Sequence, residues 1–156
     1  MGADRDPEAL ARAVAEALFR RDHAARALGM QLLEVRPGYA RLAMRMREDM
    51  VNGHAIGHGG FTFILADAAF AYACNSRNRA SVAAAAEIHF VGATRLGDEL
   101  VAECEERHLR GRTGLYDVRV SRAGGELVAL FRGRSHALDD AVLREDAAVA
   151  RSGSGS

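Results

Sequence analysis

The chain contains no lysine: all 21 of its basic residues are arginine, and 21 acidic residues bring the formal net charge to zero. That balance removes the broad electrostatic footprint of a nucleic-acid-binding domain. It leaves the arginines local work, such as pairing with ligand phosphates, whose oxygens match the guanidinium fork. Cysteine is scarce as well. Cys74 and Cys104 lie in apolar segments without CxxC spacing, which argues against a disulfide scaffold and suits a reducing compartment. No apolar run approaches the ~18 residues of a membrane span, and the N-terminus MGADRDPEAL is acidic with no apolar core. A soluble, cytoplasmic protein with no nucleic-acid or membrane partner is expected. Several catalytic signatures are missing too. There is no GxSxG elbow, no P-loop and no GxGxxG after a strand, so serine-hydrolase, kinase-like and dinucleotide chemistry find no support.

What is present is enough for one core. The 156 residues are 49% hydrophobic, which suits a single domain with short tails. From Pro7 to about Leu28, apolar residues recur at Leu10, Val14, Leu18, Ala25 and Leu28, predicting an amphipathic helix with proline in its first turn. Met30 to Val35 and Tyr39 to Met46 alternate around Arg36, Pro37 and Gly38, the pattern of a β-hairpin. Residues 50 to 60, MVNGHAIGHGG, have no period and read as an ordered loop. Phe61 to Ser76 is apolar almost all round, as in a helix buried on most sides. Val82–Val91, Asp98–His108, Gly114–Arg122 and Glu126–Leu138 alternate like strands, with AGGE at 123 to 126 as a tight turn. The sum is an α+β domain in which an antiparallel sheet wraps a central helix. The expected divisions are an N-terminal helical segment at 1–28, the main domain at 29–138 and a tail at 139–156. That tail is Ala-rich and charged, and is expected to form a frayed helix with a disordered end.

Asp67 is the one charged side chain between Gly59 and Ser76, flanked by Leu65, Ala66, Ala68 and Ala69. Burying an unpartnered carboxylate costs on the order of several kcal/mol. Asp67 is therefore either a structural acceptor or ion-pair partner, or a carboxylate facing a pocket as general base or nucleophile. Gly59 and Gly60 open the same helix, where glycine permits close approach to amides that lack intrahelical partners. Those amides either belong to a tight lead-in turn or polarise a carbonyl, assisted by the helix dipole. Gly59 and Asp67 are eight residues apart, ~12 Å along a helix at 1.5 Å per residue. A polarised carbonyl and the water attacking it must lie within about 3 Å of each other. If the two groups act together, the amide comes from one subunit and the carboxylate from another, across a two-fold axis.

Asn52, in an Asn-Gly pair, is a turn residue or a group that positions a carbonyl or a water. His54 and His58 are four apart and with Asp67 invite a metal reading, but that spacing needs a helix through Ala55, Ile56 and Gly57, which the glycines oppose. No metal is expected. A ring nitrogen of His58 is expected to brace the loop beside the helix start.

The segment NGHAIGHGGFTFILADAAFAYACNS, with GLYDVRV and VALFRGRSH downstream, resembles the phenylacetic-acid-degradation thioesterases, a branch of the hotdog-fold acyl-CoA thioesterases. The likeness runs from about Gly29 to Leu138. It implies a long helix wrapped by a curved antiparallel sheet, dimers joined edge to edge, and dimers paired into a homotetramer. Carried over by position, it makes Asp67 the catalytic carboxylate, Gly59 the polarising amide, Asn52 a positioning group and His58 a supporting residue. The implied substrate is phenylacetyl-CoA or a hydroxylated relative in phenylacetate catabolism, hydrolysed to free acid and CoA with no cofactor beyond the CoA of the substrate. Ala55 and Ile56 in the loop and Glu87 and His89 on the following strand depart from the family. Arg132 and Arg134 alternate with His136 on one strand face, where they either meet CoA phosphates or are simply solvated. The alternatives kept open are an acyl-CoA hydratase on the same fold, which needs a His and Asp pair over the acyl chain, and a non-catalytic acyl-CoA-binding module.

Overall fold

The computed structural model describes residues 6–144. It places the predicted elements in the predicted order, with one helix divided. The N-terminal run forms α1 (Pro7–Arg21) and α2 (His23–Ala27), separated at Asp22. Asp22 leaves helical geometry at φ −85°, ψ 83°. Its carboxylate accepts from the Ala25 amide at 3.0 Å, so the residue that ends the first helix caps the second. The uninterrupted helix expected over Pro7 to Leu28 is thus corrected to a pair. Asp6 caps α1 and Pro7 occupies its first turn.

The hairpin of β1 (Gln31–Arg36) and β2 (Tyr39–Arg45) follows, with Gly38 at φ 73° in its turn. A single 3-10 turn at Glu48–Met50 leads into the loop before α3 (Gly59–Cys74). The strands β3 (Ser81–Phe90), β4 (Glu99–Arg110), β5 (Thr113–Arg122) and β6 (Leu127–Ala137) complete one six-stranded antiparallel sheet in the order β1-β2-β4-β5-β6-β3. Residues 139–144 make bends rather than the helix expected there. They are tied down where the Ala80 amide donates to the Asp140 carbonyl and the Leu143 amide to Asn78 Oδ1. The rest of the expected tail helix and disordered end lies outside the described residues.

The sheet curls around α3 because the helix is apolar on every side and studded with alanine. Leu65, Ala66, Ala69, Phe70, Tyr72 and Ala73 are all buried. The Phe70 ring fills the hollow between Tyr116 and Phe131, at centroid distances of 5.5 and 5.8 Å. Gly133 on β6 is what lets it in: a Cβ there would come within 2.9 Å of Phe70 Cζ.

The two sheet edges differ. β1 is short, carries Glu34 and Arg36, is bulged between Leu32 and Glu34, and has α1 packed beside it. Such features blunt an edge against further pairing. β3 is ten residues long, has Glu87 as its one formally charged side chain and is exposed at eight of its ten positions. Among the described residues it pairs with β6 alone.

Candidate active site

The loop before α3 is an ordered structure built on backbone contacts. Val51 bridges to Gly57 and Ile56 to Arg95. Asn52 Oδ1 accepts from the His54 amide at 2.9 Å and the Ile56 amide at 3.1 Å, and its own backbone amide donates to the Ile56 carbonyl at 2.8 Å. The side-chain oxygen expected to position a substrate therefore closes the turn, and the carboxamide nitrogen is the part left over to donate. Gly57 sits against neighbours that admit nothing larger, since a Cβ would fall 2.0 Å from Thr94 Oγ1 and 2.4 Å from Met46 Cε. His54 and His58 do not share a helical face, because Ala55 between them takes φ 60°.

His58 is the last residue before the helix, with extended φ and ψ. It supports the loop through its backbone: its amide donates to the Met50 carbonyl at 2.9 Å and its carbonyl accepts from Phe61 at 3.1 Å. Among the described residues the exposed ring hydrogen-bonds to nothing, which corrects the expectation that a ring nitrogen braces the loop. No side chain caps the helix start, and the Gly59 and Gly60 amides have no acceptor among the described residues. They are the free donors at the positive end of a 16-residue helix.

Asp67 lies two turns further on, half-buried, and has no hydrogen bond or ion pair among the described residues. Burial pushes its carboxyl above the usual carboxylate range, and the negative charge of Asp22 adds to the rise. Gly60, Ile64, Asp67, Ala71 and Cys74, spaced by three and four, form the stripe of α3 that the sheet leaves partly open. Asp67 is thus, among the described residues, an unpartnered acid in the middle of an otherwise apolar, partly open strip.

A sequence model of the thioesterase superfamily matches residues 54–129, which hold the end of the loop, all of α3, the strands β3, β4 and β5 and the start of β6. The acyl-coenzyme A thioesterase PaaI of Escherichia coli (strain K12) is 41% identical over 131 residues, 84% of this chain and 94% of that protein. The chain belongs to the thioesterase superfamily. The solved structure of the E. coli PaaI protein from the phenylacetic acid degradation operon superposes with a TM-score of 0.86 at 40% identity, covering 87% of this chain and 99% of the other. A single-residue mutant of the phenylacetic acid degradation protein PaaI from Thermus thermophilus gives 0.72 at 38% identity, with 75% and 100% covered. The fold of this thioesterase is therefore the hotdog fold expected above.

In this thioesterase the sequence candidates separate into two groups. Asn52, His58 and Gly59 meet at the start of α3, with Asp67 on the same helix. Arg132 and Arg134 lie on the outer face of the sheet, away from α3, where they share exposure with His136 as their spacing required. Arg132 is held by Asp117, with Nε to Oδ1 at 2.7 Å and Nη2 to Oδ2 at 3.0 Å. A cavity of about 380 Å³ also opens on that face, lined by Glu87, Glu103, Asp117 and Arg132 among others, and Asp67 does not line it. Sequence reasoning missed Phe90. Its ring is 53% exposed although it sits at an inward register position on β3, and its tip abuts Gly59, where a Cβ would approach Cζ within 2.8 Å. An aromatic ending an alternating strand carries no signal of its partner until the helix start is placed against it.

Proposed function

We propose that the protein is a cytoplasmic acyl-CoA thioesterase that hydrolyses ring-bearing acyl-CoA esters, phenylacetyl-CoA or a hydroxylated relative, to the free acid and CoA. The observation that carries this reading is Asp67, an unpartnered, half-buried carboxylate on the open stripe of α3. The active unit is a dimer joined along β3, whose exposed backbone and run of alanines from Ala83 to Ala86 suit antiparallel addition of a second copy. Pairing there sets the open stripes of two α3 helices beside each other. Each Asp67 then stands opposite the Gly59 amide of the other copy, which the ~12 Å between the two groups on one helix requires. A dimer of such dimers, the homotetramer implied by the resemblance, completes the proposal.

In each site the Gly59 N–H donates to the thioester carbonyl oxygen and to the oxyanion that develops on it. Asp67 takes a proton from a water, whose oxygen bonds to the carbonyl carbon, or its own oxygen makes that bond and water then cleaves the anhydride. The carbon–sulfur bond breaks, CoA leaves as a thiolate and takes up a proton. The raised proton affinity of Asp67 suits the base role. The Asn52 carboxamide nitrogen is the donor that orients water or acyl carbonyl, and His58 supports the helix start through its backbone. No group beyond the CoA carried by the substrate is required. The exposed Phe90 ring against Gly59 supports an aromatic acyl group, because it offers a flat apolar wall next to the carbonyl.

Thiol release from phenylacetyl-CoA, measured beside aliphatic CoA esters and beside hydration of crotonyl-CoA, tests the proposal. Thiol release with preference for the aryl ester supports it. Hydration without thiol release establishes a hydratase instead, and binding without either reaction makes this an acyl-CoA-binding module.

A further inference from the structure

The connection between β3 and β4 has to cross the sheet, because β6 and β5 lie between those two strands. Residues 91–98 make the crossing without forming a helix or a strand. At its start the Val91 and Gly92 amides donate to the Val128 carbonyl of β6, at 2.9 and 3.1 Å. At its end the Gly97 amide donates to the Met46 carbonyl and the Met46 amide to the Asp98 carbonyl, both at 2.8 Å. Between these ties stands Arg122, the last residue of β5. Its guanidinium is divided among three acceptors: Nε donates to Asp98 Oδ2 at 3.0 Å, Nη1 pairs with Glu126, and Nη2 donates to the Ala93 carbonyl. A planar fork holds three such groups at fixed angles, which the single ammonium of a lysine does not. Asp98 Oδ2 also accepts from the Arg95 amide at 2.8 Å, so the peptide units on both sides of Thr94 are fixed by Arg122 and its carboxylate partner.

The Thr94–Arg95 peptide is where this clamp meets the loop before α3. Its N–H goes to Asp98, and its carbonyl accepts from the Gly57 amide at 2.8 Å, two residues before Gly59. Hydrogen bonds in such a chain polarise and strengthen one another. Ile56 bridges to Arg95 alongside, and the same Ile56 exchanges backbone and side-chain bonds with Asn52. Thr94 is buried and packs so closely on Gly57 that neither can shift alone. The placement of the helix start, and of the Asn52 turn with it, is thus set from the far side of the connection. We propose that Arg122 is a positioning residue for thioester hydrolysis: together with Asp98 it fixes Thr94, and through the Gly57–Thr94 bond it holds the Gly59 amide in line with the carbonyl it polarises. This rests on the reading of Gly59 as the polarising donor.

The test uses the full chain as wild type, Arg122→Gln, Arg122→Lys, Asp98→Asn and the double variant Arg122→Gln with Asp98→Asn, assayed by thiol release from phenylacetyl-CoA well below the thermal midpoint of each. A carbonyl donor acts most strongly in the transition state, so loosening it should lower kcat about tenfold and leave KM within about twofold. Arg122→Lys keeps the charge and should lose nearly as much, because the fork is what positions the connection. Two residues that act as one unit should be non-additive, leaving the double variant no slower than the slower single one. Hydrogen exchange gives a readout independent of turnover: in Arg122→Gln the Gly57 amide should exchange at least about tenfold faster, while the Val118 and Val120 amides of β5 keep their rates. Unchanged kcat, a loss confined to KM, full rescue by lysine or additive losses in the double variant overturn the assignment. So does a fall in kcat with Gly57 exchange unaltered, or a lower Tm with kcat intact. If the wild type releases no thiol from any ester, the thioesterase reading fails by itself, and Gly57 exchange in the variants then decides separately whether Arg122 holds the helix start.

Discussion

Replacing Asp67 by Asn separates a catalytic acid from a structural one, because the two roles move activity and stability in different directions. The carboxylate has no hydrogen-bond or ion-pair partner among the described residues, so the change removes no contact that holds the fold. It removes a charge that burial and Asp22 disfavour. A carboxyl whose folded pKa is raised above its unfolded value stabilises the fold below the unfolded pKa and loses that contribution as pH rises through the folded pKa. Above the folded pKa the wild type has lost that contribution, so there the neutral side chain leaves Tm unchanged or raises it by no more than about 3 °C. A positioned base contributes ~10²- to 10⁴-fold. kcat should therefore fall at least about a hundredfold, about 2.7 kcal/mol of transition-state stabilisation. The assays are thiol release under saturating phenylacetyl-CoA and a thermal melt of the same preparation. In the wild type, the acidic limb of kcat/KM against pH should lie above the usual carboxylate range and be absent from the residual activity of the variant. Near-normal turnover, or normal turnover with a drop of several degrees in Tm, would make Asp67 a structural acid and remove it from the chemistry.

Three further outcomes follow from the geometry. Gly57→Ala places a Cβ 2.0 Å from Thr94 Oγ1 and 2.4 Å from Met46 Cε, so a thermal melt should show a loss of about 1–3 kcal/mol and a disturbed helix start should lower kcat. Ala86→Arg puts a charge on the exposed part of β3 and should yield folded, inactive monomers by sedimentation; a variant that remains dimeric and active excludes this edge as the junction. Phe90→Ala, which removes the ring beside Gly59, should reduce the preference for phenylacetyl-CoA over a straight-chain ester by up to about tenfold with little change in stability. An unchanged ratio places the acyl group elsewhere.

Much of the fold was legible because its signals are local. Alternation in Tyr116, Val118 and Val120 against Asp117, Arg119 and Ser121 defines a strand wherever it lies, and an all-round apolar run with one acid defines a buried helix. Asp22 escaped notice because the 3.6-residue pattern continues through it. The break is made by its cap on Ala25 and its acceptance from the Tyr72 hydroxyl at 3.1 Å, a contact fifty residues away in sequence. In the loop, composition marked Asn52 as a turn or positioning residue, and the structure shows its oxygen occupied by the turn.

The order of the elements, the single core and the isolation of Asp67 among apolar neighbours were all readable from the amino acids alone, since periodicity and the cost of burying a charge act within a few residues of each other. The argument for a second copy was readable there too, because helix rise separates Gly59 from Asp67. Closure of the fold was needed to make β3 and not β1 the open edge, to rest Phe90 on Gly59, and to hold Arg132 at Asp117. These facts depend on which distant strands become neighbours and which face each presents, and no stretch of chain carries that information until the sheet has closed around its helix.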